Sequence, residues 1–246
     1  MNKKNALFVM PGNCRTFMDC FDSCYENVIS KLFTEEYNVY VYLYLKLKDP
    51  GPKGQWGWNF SYKDIEHDTL INKINEFKNK YTNLNFDYKI ITDNEISDSD
   101  LLSQVKNRSL YINFFSENSK LLRGLHCHYN LECCGKYILE KEESLNITFD
   151  YLVYIRPDLY FTSPSNSIDK YSDNIITLGY GPIPYENCKS DHYGIIPRKN
   201  MESFFFSKIN IYRNNTTQYF SVAEEIWYYD MKYEYNQIGT YYIKRE

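Results

Sequence analysis

Two hydrophobic periods alternate along the first hundred residues, and that alternation leaves the chain few folds. "ALFVM", Ala6 to Met10, is a short uninterrupted apolar run and reads as a buried strand. "RTFMDCFDSCYENVISKLF", Arg15 to Phe33, repeats apolar residues at three and four and predicts a helix. "YNVYVYLYLKL" from Tyr37 is β-branched and aromatic, which predicts a second strand. "IEHDTLINKINEFKNKY" then predicts a second helix, and "FDYKIITDN" a third strand ending in polar residues. Strands joined by helices of this length pair in parallel and need helices on both faces of the sheet. The expected fold class is α/β, with a mostly parallel central sheet flanked by helices.

The same reading continues to the end of the chain. "SDSDLLSQVKN" predicts a short helix capped by a serine or aspartate. A long helical region covers Phe114 to about Glu142, with Gly124 or Gly135 as a candidate break, and leads into the strand "YLVYI". Beyond it come "NIITLGYG", "DHYGIIPRKNMESFFFSKINIY", an acidic helix "SVAEEIWYYDMKYEY" and a closing strand "GTYYIKRE". The loop "KDPGPKGQWGWNFS", Lys48 to Ser61, either borders a pocket or forms a surface turn carrying two packed tryptophans.

At 246 residues the chain fits one large α/β domain, 1–246. Its 28 Lys and Arg against 32 Asp and Glu are evenly spread, without the basic block that phosphate contacts need, so no nucleic-acid partner is expected. The N-terminal apolar run is too short for a signal peptide or membrane span, so no transmembrane segment is expected. The seven cysteines are an odd number for a domain this large and indicate mostly free thiols in a reducing compartment, hence a cytoplasmic protein. Cys20 and Cys24 lie one helical turn apart and read as buried small apolar residues. "GLHCHYNLECC" invites a zinc reading, but on a helix His126 and His128 point about 200° apart, which argues against it.

The strand "YLVYI" ends in "RPD". In an open α/β sheet, ligands lie beyond the carboxyl ends of the strands, so the residues ending a strand are the ones presented to a ligand. Pro157 holds Arg156 extended and withdraws one amide from the ladder. If the chain stays extended, Arg156 and Asp158 share parity and point into one crevice. An arginine there offers fixed donors to a phosphate or carboxylate, and an aspartate offers oxygens to Mg²⁺, Mn²⁺ or sugar hydroxyls. A local Arg156–Asp158 ion pair closing the strand end is the rival account, and spacing alone does not choose.

Together, "PGNCRTF", "FDYLVYIRPDLYF", "SDHYGIIPRKNMESFF" and "AEEIWYYD" resemble a family of small glycosyltransferases found in bacterial polysaccharide clusters and giant DNA viruses. The resemblance is to the GT-A nucleotide-sugar transferase architecture, a Rossmann-related fold, and it covers nearly the whole chain. It implies transfer of a sugar from a nucleotide-diphosphate donor to a hydroxyl of a glycan or small-molecule acceptor, in the host cytoplasm if the source is viral. It places the loop of Gly12, Asn13, Arg15 and Thr16 at the nucleotide. Asp158 falls at the metal or donor diphosphate, with Arg156 beside it. Here the sequence departs from the usual Asp-x-Asp pattern, since Arg156 stands where the first acidic residue is expected, and one carboxylate holds Mn²⁺ or Mg²⁺ loosely. Asp191, opening "DHYGIIPR", is the first candidate for acceptor binding or base catalysis, and His192 competes with it. Ser221 and Glu224 match a capping box, which leaves Glu225 as the acidic residue expected at the sugar. Arg123 reads as a solvated helix arginine. The motifs specify neither sugar, acceptor nor oligomeric state. Two alternatives stay open: "PGNCRTF" also resembles the phosphate-gripping loop of a sulfotransferase, although without its lysine, and a noncatalytic carbohydrate-binding protein could retain the same fold.

Overall fold

A computed structural model of the chain describes residues 3–14, 16–47, 65–92, 95–114, 118–180, 189–220, 226, 229, 231–236 and 241–243. The tryptophan loop at 48–61 therefore lies outside the described residues. In chain order the structure runs β1 (Lys4–Asn13), α1 (Phe17–Cys24), a π-helical turn (Tyr25–Ile29) leading into α2 (Ser30–Leu32), β2 (Tyr37–Lys46), α3 (His67–Lys80) and β3 (Leu84–Ile91). It continues with α4 (Asp98–Ser103), a 3₁₀ segment (Arg108–Phe114), α5 (Asn118–Leu145), β4 (Tyr151–Ile155), β5 (Leu159–Phe161), β6 (Ile176–Tyr180) and β7 (Lys189–Pro197). The chain closes with α6 (Met201–Phe205), α7 (Ser207–Asn214), β8 (Tyr233–Asn236) and β9 (Tyr241–Ile243).

Seven strands form one sheet in the order β3-β2-β1-β4-β7-β6-β8. Pairs β1–β2, β2–β3, β1–β4 and β6–β8 are parallel, and among the described strands of this sheet β7 alone runs against the rest. Alternating side chains explain why the first strand has no polar face. Ala6, Phe8 and Met10 enter one core with Phe17, Phe21 and Phe77 of α1 and α3, while Leu7 and Val9 enter the other with Leu131, Ile138 and Phe205 of α5 and α6. Each such large side chain contributes about 1.5–3 kcal/mol on burial. The sheet is thus covered on both faces, as the alternation of periods requires. Among the described residues no helix is long and apolar enough to cross a membrane.

The structure corrects several sequence expectations. β1 runs past Met10 to Asn13, because its pairing with β2 continues to Asn13↔Lys46 even though Pro11 and Gly12 read as loop residues. Gly12 and Asn13 are therefore strand residues. α5 is unbroken through Gly124 and Gly135. A Cβ on Gly135 would come within 2.7 Å of the Phe206 ring, so this glycine serves close packing of α5 on the segment after α6. The tail of the expected acidic helix is strand: Tyr233–Asn236 pairs with β6, a non-local contact that outweighs the helical spacing. β7 lies between β4 and β6. The cap on α4 is as expected, with the Ser97 hydroxyl accepting from Asp100 N at 3.1 Å.

Candidate functional site

The sheet order changes direction between β1 and β4: β2 and β3 follow β1 on one side, and β4 opens the other. This is the position at which open α/β sheets form a ligand crevice. The crevice opens because pairing stops unequally. β1 and β4 are paired only as far as Val9↔Tyr154, whereas β1 stays with β2 for four more residues, through Asn13↔Lys46. Beyond that split stand Gly12 and Asn13 on one lip and Arg156, Pro157 and Asp158 on the other.

Gly12 and Pro157 set the width of the split. Gly12 has φ +154°, and a Cβ added there would sit 2.8 Å from Pro157 Cδ and 2.9 Å from Cγ. A glycine is therefore required by both backbone and space. Pro157, read from sequence as a strand terminator, is also the wall against which β1 packs.

Arg156 and Asp158 do not extend in parallel from a continuing strand. The chain turns after Ile155, with Leu159 N reaching Arg156 O at 3.4 Å, and the two side chains meet. Arg156 Nε donates to Asp158 Oδ1 at 3.0 Å and Nη2 to Oδ2 at 2.7 Å, a two-pronged pair. Asp158 is buried, its side chain 6% exposed, and Arg156 is 29% exposed. The ion pair anticipated as the rival account is present, and its effect is to fix the plane of a half-exposed guanidinium at the crevice. Arg156 takes one acceptor position on each Asp158 oxygen, so a divalent ion held there would share the carboxylate with the guanidinium. Among the described residues no group of three His, Cys, Asp or Glu side chains gathers to hold a metal, at "GLHCHYNLECC" or elsewhere. His126 instead meets Asp98 at 2.7 Å, and His128 is buried in the helical face.

β7 runs antiparallel to β4, so its first residues arrive at the carboxyl end of the crevice. The register pairs Ile155 with Tyr193, and Arg156 N donates to His192 O at 2.9 Å. His192 thus sits beside Arg156, its ring 6.2 Å from that of Tyr241. Asp191 precedes His192 on the same strand, its side chain lying outside the described part. Arg15 and Glu225 also lie outside the described residues. The side of Thr16 is better defined: it precedes α1 without capping it, and its buried hydroxyl has no hydrogen-bond partner among the described residues. Phe17 and Cys20 of α1 line a small cleft together with Arg156 and Pro157.

Sequence reasoning missed the second sheet. β5 follows "RPD" directly and pairs with β9, Phe161 opposite Tyr241, which brings the C-terminal strand to the crevice. Ser23 and Asn27 anchor β5 to the first helix and its π turn. Ser23 Oγ accepts from Phe161 N at 3.1 Å, and Asn27 Nδ2 donates to Phe161 O at 3.1 Å. The only local signals were two short aromatic runs, "LYF" and "YYI".

No protein-family model matches the sequence, and no curated protein matches it. Among solved structures, the chain aligns over 96% of its length with the glycosyltransferase GlyE of Streptococcus pneumoniae TIGR4, at 9% identity and a TM-score of 0.42, covering 45% of that chain. The apo form of GlyE aligns over 95% of this chain and 45% of its own, at 8% identity and a TM-score of 0.46. Mouse xyloside xylosyltransferase 1, in its apo form, aligns over 95% of this chain and 85% of its own, at 5% identity and a TM-score of 0.44. The chain spans less than half the length of the pneumococcal protein. The α/β assignment rests on the observed strand order and the helices on both faces.

Proposed function

We propose that the chain is a GT-A-like glycosyltransferase that moves a sugar from a nucleotide-diphosphate donor to a hydroxyl of a glycan or small-molecule acceptor. One observation carries this reading: Gly12–Asn13, the Arg156–Asp158 pair and the start of β7 converge on the split between β1 and β4, the ligand-binding position of an open α/β sheet. The donor diphosphate lies against Arg156, near the start of α1, where helix amides and the macrodipole favour an anion. Asp158 is a positioning residue that holds the guanidinium plane.

In the transfer, the acceptor oxygen forms a bond to the anomeric carbon as the bond from that carbon to the diphosphate oxygen breaks. The electron pair leaves with the diphosphate, and Arg156 offsets the charge that develops there. The acceptor proton passes to a base on β7, Asp191 first and His192 as its competitor. Glu225 is assigned to the sugar by resemblance. If Mn²⁺ or Mg²⁺ takes part, Asp158 would hold it and the ion would share the charge on the diphosphate with Arg156. A cytoplasmic setting follows from the odd cysteine count.

A thermal-shift panel of UDP-, GDP- and dTDP-sugars and 3′-phosphoadenosine phosphosulfate, with and without Mn²⁺, tests the proposal. Stabilisation by a nucleotide sugar, with or without metal, and turnover on a hydroxyl acceptor are expected. Stabilisation by the sulfonate donor alone would replace the reading with sulfonyl transfer. Donor binding without hydrolysis or transfer would make the chain a binding protein.

A further inference from the structure

The far end of the sheet carries a second concavity that the transfer reading does not use. Leu7 and Tyr40 are register partners near the amino ends of β1 and β2, six residues before the Asn13↔Lys46 pair at the crevice. At the strand rise that is about 20 Å away. α5 crosses the sheet over Tyr42, whose ring stacks on Tyr137 at 3.5 Å, and leaves one face of the edge strand β3 open. The alternation in β3 fits that placement. Leu84, Phe86, Tyr88 and Ile90 turn toward the core under α3, while Asn85, Asp87 and Lys89 take the other face. The result is a groove of about 430 Å³, with Tyr40, Asn85, Asp87, Tyr137, Lys141 and Phe149 among its lining residues. That volume lies within the range of about 300–1,000 Å³ typical of small-ligand sites.

We propose that this groove is a binding site for a neutral saccharide, separate from the crevice. Its aromatic wall suits the C–H face of a pyranose. Tyr40 is half-buried, set edge-on to Phe149 at 5.3 Å, and its hydroxyl makes no hydrogen bond among the described residues. The polar wall is preset for hydroxyls. Asp87 Oδ1 accepts from Tyr88 N at 2.9 Å, and Oδ2 accepts from the Tyr137 hydroxyl at 2.6 Å and Lys141 Nζ at 2.9 Å. A carboxylate has about four acceptor positions and an ammonium three donors, so one acceptor and two donors stand side by side for a pair of neighbouring hydroxyls. Burial raises the Asp87 pKa, but the Tyr137 hydroxyl and the Lys141 ammonium outweigh it and hold the group below the ordinary carboxylate value. The groove therefore keeps a negative charge, Lys141 is offset by it, and Lys78 lies over the Tyr88 ring at 4.7 Å. Lys78 is the lining cation with no carboxylate partner among the described residues, so inorganic phosphate is the control for an anion site.

Saturation-transfer NMR with cellobiose, chitobiose, maltose and lactose, and with inorganic phosphate as the anionic control, tests the site in the full chain. At least one disaccharide should bind. Asp87→Asn should weaken it roughly tenfold, the scale of a hydrogen bond to a charged group. Asn85→Ala, at an exposed position where the side chain makes one hydrogen bond, Nδ2 to Val39 O at 3.3 Å, should weaken it several-fold, and Arg156→Lys should leave it unchanged. The proposal is overturned if no disaccharide binds, if Asp87→Asn and Asn85→Ala bind as the wild type does, if Arg156→Lys removes binding, or if phosphate takes the groove instead. Because the crevice is probed by nucleotide sugars and the groove by disaccharides without a nucleotide, either reading can fail while the other stands.

Discussion

At the crevice, Arg156 grips Asp158 at 3.0 and 2.7 Å; on the helical face, Arg213 grips Glu132 at 2.7 and 2.9 Å, and Arg198 Nη2 meets Glu142 at 2.8 Å. The carboxylate side chains are 6%, 8% and 10% exposed and the arginines 29%, 28% and 31%. What separates them is topology. Arg213 and Glu132 are 81 residues apart and tie α7 to α5, with Gln104 after α4 joining through Arg213 Nε at 2.8 Å. Arg198 and Glu142 are 56 residues apart and tie the end of β7 to α5, where Glu142 also accepts from Phe149 N. Arg156 and Asp158 are two residues apart, so their pair lies within one turn of the chain. The same local chemistry thus cross-links the fold in two places and, at the third, orients a cation at a crevice.

Mutations that separate stability from ligand binding sharpen that contrast. Glu132→Gln carries the largest expected effect. It strips the charge partner from Arg213, whose pull, after the opposing effect of burial, holds the Glu132 carboxyl below its ordinary pKa. Because Arg213 keeps some water and Gln104, we expect a loss of about 2–3 kcal/mol rather than the ~3–5 kcal/mol of a fully buried broken pair. Urea unfolding should show it, with donor affinity in the folded protein unchanged. Gly12→Ala comes next: contact with Pro157 and the positive φ should cost about 1–3 kcal/mol and narrow the split, so both stability and donor affinity fall. Asp158→Asn should cost only about 1 kcal/mol, since its partner is part-exposed and local, yet transfer should fall steeply. Equal destabilisation by Glu132→Gln and Asp158→Asn would break the comparison.

A smaller effect separates the two regions by pH. Lys208, buried on the helical face with its ammonium donating to Ser203 O at 3.0 Å, has its pKa pushed down to about 7 by burial. In the unfolded chain a lysine titrates near ~10.4. Between those values the unfolded chain binds the proton that the native state has released, so stability rises from pH 7 to 9. Lys208→Met should flatten the rise in urea midpoints. Donor affinity should stay level over the same interval because arginine remains charged.

Strand placement was legible where burial on both faces leaves a continuous apolar run, as in Ala6–Met10 and Tyr151–Ile155. Features set by distant partners were not. Tyr233–Asn236 carries helical spacing with Ile226 and Tyr229, and only pairing with Ile176–Gly179 makes it a strand. β5 and β9 are three residues each and meet across the length of the second half. The reversed direction of β7, which delivers His192 to Arg156, has no local signature. At the candidate site, "RPD" ends β4 beside the β1–β4 split, but the parity argument assumed extended backbone, and the turn after Ile155 brings the two charges into contact instead.

The claim that the β1–β4 split receives a nucleotide-diphosphate sugar through Arg156 is tested most directly by calorimetric titration of UDP-, GDP- and dTDP-sugars into wild type, Arg156→Lys and Glu142→Gln. We expect at least one donor to bind the wild type. Lysine cannot reproduce the guanidinium fork, so Arg156→Lys should bind that donor at least about tenfold more weakly. Glu142→Gln, which breaks a pair of matching geometry away from the crevice, should bind as the wild type does. Unchanged affinity in a folded Arg156→Lys protein, or an equal loss in Glu142→Gln, would contradict the account.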